Sequence, residues 1–278
     1  MIRLAAPGDE AALTGFLSRH LETSMFLYGN LESQGLAAST HPHATRFVLD
    51  EQDGVVRAVL GLSNNGFLMC QAPQLAPVQA RAMARLLGGR TAAGMTGDDA
   101  QVATFLEAVM PAPQLDTVEP LFTLDLCRLP PVAATIRPPD RSELALLTGW
   151  FAAYMQETQT GVTSGAAERA RDAIQGGPVR LLLRDGQPVA MAGINAAAGD
   201  AVQVGGVYTP PQLRGQGFAG QVVAALLAER RRAGATRALL FAASDAAARA
   251  YLRIGFARIG RYRMALWRPP AVIGEAAG

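Results

Sequence analysis

The chain has 278 residues, 50% of them apolar and 17% charged, with 25 basic against 23 acidic side chains. That length suggests about two domains of ordinary size, and the composition supports a sizeable core and excludes a disordered chain. A formal charge of +2 argues against a nucleic-acid or membrane-surface partner. Every basic side chain is arginine, which excludes a catalytic lysine, a Schiff base and modification of its own lysines.

Residues 2–5 read as a short strand. Residues 9–21 carry apolar side chains at Leu13, Phe16, Leu17 and Leu21, a helical stripe. Residues 23–36 predict a second helix with Met25, Phe26 and Leu31 inward, ended by Gly35. Asp53-Gly54 between two apolar runs, 47–49 and 55–62, predicts a hairpin. A strand at 67–70, a helix at 78–87, a strand at 91–95, a helix at 101–109 and a strand at 122–126 follow. A linker around Leu129-Pro-Pro131 closes this half.

The chain then begins again. Ile2-Arg3 returns as Ile136-Arg137, and Leu13-Thr-Gly-Phe16 as Leu147-Thr-Gly-Trp150, both at an offset of 134 residues. The turns Asp53-Gly54 and Asp185-Gly186 stand 132 apart. One tetrapeptide could be chance, but the repeated order of elements predicts a duplicated domain. In the second copy, helices are expected at 143–154 and 166–174, and hairpin strands at 179–183 and 189–195. A strand at 202–208, a helix from Phe218 to its stop at Gly234, a strand at 238–242, a helix at 245–254 and a strand at 256–267 complete it. Arg230-Arg-Arg232 reads as a solvated helix end, where cations suit the dipole, and residues 269–278 as a frayed tail.

Cys70 and Cys127 are too few for a disulfide framework. His20, His41 and His43 make no metal set, so no zinc site or catalytic cysteine is expected. The opening residues show no leader pattern, and no apolar run reaches the length of a membrane span. A cytoplasmic protein is the expectation.

The most informative stretch is Val207-Tyr-Thr-Pro-Pro-Gln-Leu-Arg-Gly-Gln-Gly-Phe-Ala-Gly220, between an apolar run and a helical pattern. A helix N-terminus offers orphan N–H groups and the positive end of its dipole to phosphate oxygens. Gly215 and Gly217 let backbone approach a ligand, and Arg214 adds a permanent cation. Val207, Tyr208, Thr209, Gln212, Gln216, Phe218, Ala219 and Gly220 complete the candidate diphosphate cradle. A turn glycine pair alone would explain a lone GxG. Gly215-Gln-Gly217-Phe-Ala-Gly220 also satisfies the dinucleotide fingerprint GxGxxG. That fingerprint expects its first glycine tight against the strand and an acidic residue about 20 positions on. Here two prolines intervene, and Glu229 falls inside the helical pattern, so the dinucleotide reading is the weaker.

Gln212-x-x-Gly215-x-Gly217 resembles the acyl-CoA signature of the GNAT superfamily of N-acyltransferases. Ser244-Asp-Ala-Ala-Ala-Arg-Ala-Tyr251-Leu-Arg-Ile-Gly255-Phe256 resembles that family's segment of Asn, then Ala, Tyr and Gly-Phe. The likeness covers residues 134–268, and the first half only by the order of its elements. It implies an α/β fold of two GNAT-like domains, each a mixed, mostly antiparallel central sheet flanked by helices. The implied layout is a degenerate domain at 1–128 without the cofactor motif, an N-acetyltransferase domain at 134–268, and the tail.

By the same resemblance, acetyl-CoA would enter where two strands splay, and Ser244 would hydrogen-bond its pantetheine or cap the helix. Tyr251 matches the family's acid position. A tyrosine hydroxyl, titrating ordinarily at about 10, stays protonated and can donate to a leaving thiolate. A core aromatic is the plain alternative, since Ala247, Tyr251 and Ile254 share one helical face. The strand Gln203-Val-Gly-Gly-Val carries no Glu, the family's frequent base. Glu157 is the candidate base, though a solvated helix end explains it equally. Gly205-Gly206 predicts a bulge or close approach. In the first half, Gln71-Ala-Pro-Gln-Leu-Ala-Pro77 lacks both glycines and the arginine, so cofactor binding is not expected there.

The expected activity is acetyl transfer from acetyl-CoA to a primary amine, first of a small molecule, with a protein N-terminus or lysine as runner-up. A non-catalytic acyl-CoA sensor is the alternative from another class. No metal is expected, and oligomeric state stays open.

Overall fold

A computed structural model describes residues 1–158 and 165–274. The first half runs β1 (Ile2–Leu4), α1 (Glu10–Arg19), α2 (Leu21–Gln34), β2 (Thr45–Gln52), β3 (Val55–Ser63), β4 (Phe67–Gln71), α3 (Pro77–Arg85), β5 (Thr91–Asp98), α4 (Asp99–Val109) and β6 (Leu115–Asp125). The second runs β7 (Ile136–Arg137), α5 (Leu144–Thr158), α6 (Ala166–Ile174), β8 (Val179–Arg184), β9 (Gln187–Ala198), β10 (Ala201–Tyr208), α7 (Phe218–Arg232), β11 (Arg237–Phe241), α8 (Asp245–Arg253) and β12 (Ala257–Val272).

Local chemistry accounts for the breaks. Asp53 (φ 52°) with Gly54 (φ 74°) and Asp185 (φ 51°) with Gly186 (φ 76°) place two successive residues at positive φ. That is the two-residue hairpin turn whose twist suits the flanking strands. The expected stripe on α1 is buried at Leu13, Phe16 and Leu17.

By internal contacts the chain forms two units. One comprises Met1–Glu119 with Gly260–Gly278, the other Pro120–Ile259. In the first, strand order is β1-β2-β3-β4-β5-β12, antiparallel throughout except for the parallel β4/β5 pair. In the second it is β7-β8-β9-β10-β11-β6, antiparallel except for the parallel β10/β11 pair. One topology serves both sheets, and the sixth strand of each comes from the end of the other half of the chain.

Residues 260–274 therefore make their contacts in the first unit, although in sequence they follow the second. Nor are residues 269–274 frayed. The expected strand ends at Trp267, yet β12 carries Pro269 and Pro270 in a register shift between Leu266 and Ala271 and resumes pairing at Ala271 with Ala92 and Val272 with Thr91. The Ile273 amide donates to the Arg90 carbonyl at 2.9 Å, and its side chain is 2% exposed in the core of α3, α4 and the sheet. Ile273→Ala should cost about 2 kcal/mol of unfolding free energy, the usual scale for truncating a buried aliphatic side chain. A chemical denaturation midpoint unchanged from wild type would return this segment to the status of a tail.

The first unit's core joins Leu60, Leu68, Met83, Met95, Phe105 and Trp267. In the second unit, Val202, Val204, Val222, Leu226, Leu240 and Phe256 pack under α7 and α8. On the opposite face Leu147, Phe151, Leu181, Met191 and Tyr208 pack under α5 and α6. The arginine run that ends α7 is not simply solvated. Arg231 Nη1 donates to the carbonyls of Leu126 at 3.0 Å and Leu129 at 3.4 Å, Arg230 pairs with Glu229 at 2.5 Å, and Arg180 holds the same carboxylate at 2.6 Å. These bonds tie the linker to the second unit. Among the described residues no helix is long and apolar enough to cross a membrane.

Candidate active site

The parallel strands β10 and β11 pair only from Ala201–Arg237 to Val204–Leu240, while β10 runs on to Tyr208. Against β9, the register of β10 skips from Gly205–Gly193 to Tyr208–Met191. Two residues, Gly206 and Val207, thus oppose the single Ala192, and Gly206 takes φ 60°. This is the bulge expected from the Gly205-Gly206 pair. It lies just past the point where β10 leaves β11, and β10 rejoins the β9 ladder at Tyr208–Met191.

Beyond it, Pro210 and a 3-10 turn at Pro211–Leu213 lead to Gly215 and Gly217, both at φ 79°. Gly217 is the N-cap of α7 in the left-handed region, and no side chain caps the helix. Its first amides, from Phe218 onward, are left for solvent or a ligand. The helix start also shifts the motif's register. The resembled signature takes Gln or Arg first and Gly or Ala last, so Arg214-x-x-Gly217-x-Ala219 satisfies it as well as Gln212-x-x-Gly215-x-Gly217, and it is Gly217 that starts the helix. Gln212 lies exposed in the turn ahead of the helix. Phe218 is buried under α7, and a Cβ on Gly220 would meet Ile254 and Ala250 of α8 at 3.6 and 3.7 Å, so both also serve packing.

Arg214 is held on three sides. Its Nε donates to the Thr209 carbonyl at 2.9 Å, its Nη2 reaches both carboxylate oxygens of Glu157 at 2.7 and 2.9 Å, and its Cζ lies 5.8 Å from the centre of the Tyr208 ring. The cradle's cation and the candidate base are therefore partners. Both Glu157 oxygens are taken up by the guanidinium. The Tyr208 ring lies 6.0 Å from that of Trp150, tilted by 51°, and burial first, then the Glu157 charge, raise its hydroxyl pKa, so it stays protonated. The Thr209 hydroxyl is buried with no partner among the described residues.

Ser244 caps α8, accepting the Ala247 amide at 3.2 Å. Tyr251 is 5% exposed in the core under α7, its ring 6.1 Å from that of Phe256. The packing half of its two readings is thus present whatever its hydroxyl does. The segment after Thr158, which includes Gly161, lies outside the described residues.

Gln203 escaped notice as a site residue. It is 2% exposed on β10, its Nε2 donates to the Val204 carbonyl at 2.7 Å, and its Oε1 has no partner among the described residues. A polar side chain between Val202 and Val204 was the available signal. Asn195, the extra residue where β9 slips against β10, lies so close over Gly205 that a Cβ there would meet its Nδ2 at 1.8 Å.

The corresponding place in the first unit is filled. β4 has no bulge against β3, Gln101 Oε1 takes the Ala72 amide at 2.6 Å, and α3 begins at Pro77, which has no N–H to offer. Cys70 beside it is buried, and desolvation pushes its thiol pKa up to about 12. Among the described residues no group of three His, Cys, Asp or Glu could hold a metal ion.

Residues 147–256 match the model of the acetyltransferase (GNAT) family. No curated protein matches the chain significantly. Among solved structures, an acetyltransferase from the GNAT family of Colwellia psychrerythraea aligns with TM-score 0.54 at 12% identity over 96% of this chain and 99% of its own. A GCN5-related N-acetyltransferase from Kribbella flavida gives 0.56 at 19% identity, over 87% and 95%. A tandem GNAT protein from the clavulanic acid biosynthesis pathway gives 0.50 at 14% identity, over 96% and 98%. At these identities the likeness is one of fold, a mixed and mostly antiparallel sheet flanked by helices.

Proposed function

We propose that the chain, whose residues 147–256 match the model of the acetyltransferase (GNAT) family, is an N-acetyltransferase that moves an acetyl group from acetyl-CoA to a primary amine. The acceptor is a small molecule, attacking directly in a ternary complex. The observation that carries this reading is an uncapped helix start at Gly217, set directly beyond a bulged strand that has parted from its neighbour.

Bound acetyl-CoA supplies an activated thioester and a thiolate leaving group. The amides from Gly217 onward hold the diphosphate, and Arg214 offers the cation. The bulged backbone at Gly205–Val207 orients the acyl group and offers N–H groups to a developing oxyanion. Tyr251 donates its hydroxyl proton to the departing sulfur, and the amine's proton leaves through water. The amine binds neutral, and no lysine or metal is needed. Charge balance speaks for neither a nucleic-acid nor a membrane partner, and a cytoplasmic setting suits the reading.

The pairing of Glu157 with Arg214, and an amide at Gln203, favour a second reading, an acyl-CoA sensor without turnover. Thiol release from acetyl-CoA against a panel of amines and short peptides separates them. Turnover with one amine class supports the enzyme, while binding without turnover on any member supports the sensor. Turnover with peptides alone would move the acceptor to a protein N-terminus or lysine.

The Arg214–Glu157 pair gives a direct test of roles. Both side chains are nearly half exposed, at 47% and 46%. Such a pair is worth up to about 1 kcal/mol, so Glu157→Gln should tighten CoA binding by roughly two- to fivefold at low salt by freeing Arg214, with less gain as salt screens the charges. Calorimetry with CoA reads this. A hundredfold loss of kcat at unchanged affinity would instead make Glu157 the base.

A further inference from the structure

We infer that the acceptor carries a second cation beside its reacting amine, and that this cation takes Arg214's place against Glu157 and Tyr208 when acetyl-CoA draws Arg214 to its diphosphate. This rests on the cradle assigned above to the diphosphate, and names the class of acceptor for that site.

The place suits an organic cation, and the chain fills it with one of its own. Arg214 Nη2 donates to both carboxylate oxygens of Glu157 at 2.7 and 2.9 Å, its Nε donates to the Thr209 carbonyl at 2.9 Å, and its Cζ lies 5.8 Å from the centre of the Tyr208 ring. A carboxylate, a carbonyl and an aromatic face together recognise a guanidinium or an ammonium. Two of the three are fixed without Arg214. Tyr208 is 6% exposed and packs with Leu147, Phe151 and Met191, and Thr209 follows it directly beyond β10. The Thr209 hydroxyl adds a buried polar atom with no partner among the described residues.

The guanidinium is free to exchange. Arg214 and Glu157 are both nearly half exposed, and a pair so exposed is held weakly. Charge sets the direction of the exchange. Without a donor molecule, Arg214 and Glu157 neutralise each other. A diphosphate at the start of α7 brings negative charge close to Arg214 and competes for the guanidinium. Glu157 is then a bare carboxylate beside an aromatic face, and the chain has no lysine to replace the arginine. An acceptor carboxylate would be repelled there and an apolar chain would gain nothing, whereas a second cation restores the balance. A guanidinium copies Arg214 most closely, because its planar fork matches the carboxylate and its face stacks on the ring.

Two measurements on the full chain test this, one of them independent of turnover. Calorimetry follows 4-aminobutylguanidine with and without saturating CoA, which carries the diphosphate but no acyl group to transfer. CoA should tighten the guanidine on wild type by about tenfold, the effect of one charge-assisted contact, and the guanidine should tighten CoA by the same factor. Arg214→Gln should bind the guanidine without CoA as tightly as wild type binds it with CoA. Glu157→Gln should show no gain from CoA. With acetyl-CoA, wild-type kcat/KM should be about tenfold higher for 4-aminobutylguanidine than for n-butylamine, and Glu157→Gln should bring that ratio close to one. Loss of a general base would instead slow both amines alike and keep the ratio. A guanidine affinity indifferent to CoA on wild type, or n-butylamine used as well as the guanidine, would overturn the inference. Failure to transfer acetyl to any amine would remove the enzyme reading and leave the calorimetry to decide whether a cation takes Arg214's place, whereas no CoA binding at all would remove both.

Discussion

Gly217→Glu should weaken acetyl-CoA binding by at least a thousandfold and abolish transfer, while the protein stays folded. Gly217 sits at φ 79° as the N-cap of α7, and a Cβ there would meet only Gln221 Nε2, at 3.8 Å, an ordinary contact. A side chain there is strained by about 1–2 kcal/mol, which alone would weaken binding about tenfold, the result expected for Gly217→Ala. Glutamate does more. Its carboxylate can turn toward the unsatisfied amides of α7 and the positive end of the dipole, taking the place that the diphosphate needs. The same contact offsets part of the strain, so the melting temperature should fall by only a few degrees. Calorimetry with acetyl-CoA on the two variants separates strain from occupation. Binding of the Glu variant within tenfold of wild type would place the diphosphate elsewhere and undo the cradle.

The glycine-rich turn and the helix that starts beyond it could be read from the sequence because a local rule writes them. Two glycines, two prolines and the start of an apolar stripe all act within a dozen residues. Register was less legible, since Gln212-x-x-Gly215 and Arg214-x-x-Gly217 satisfy one pattern, and only the helix start distinguishes them. The exchange of sixth strands was not legible at all. β6 and β12 are ordinary apolar strands, and nothing in their residues states which edge they join. The tail was misjudged for a related reason. Pro269-Pro270 signals a break locally, but the core beneath α3 and α4 recruits Ile273 across it. Glu157 and Arg214 stand 57 positions apart on elements that sequence reading treats separately, so their pairing appears only in three dimensions. Such pairings change chemistry without changing fold, and they are where site assignment from sequence is weakest.

Tyr251→Phe poses the remaining question of role in its cleanest form. The ring is 5% exposed and packs against Phe256 in the core shared by α7, β10 and β11. Phenylalanine keeps that packing, so the affinity for CoA should not move and stability should change by less than about 1 kcal/mol. If the hydroxyl delivers a proton to the departing thiolate, kcat should fall by about a hundredfold, the lower end of what a positioned acid contributes. The loss should be equal in kcat and kcat/KM for the amine, because the contact strengthens only as the C–S bond breaks. A donor with a less basic leaving thiol needs that proton less, so the ratio of wild-type to variant rates should shrink with it. A core aromatic without a chemical role would show none of this, giving wild-type rates with every donor. A variant that loses CoA affinity in step with kcat would make the hydroxyl a binding contact instead. The rate and its dependence on the leaving group therefore decide between acid and packing, which burial alone cannot, since the same buried ring serves both.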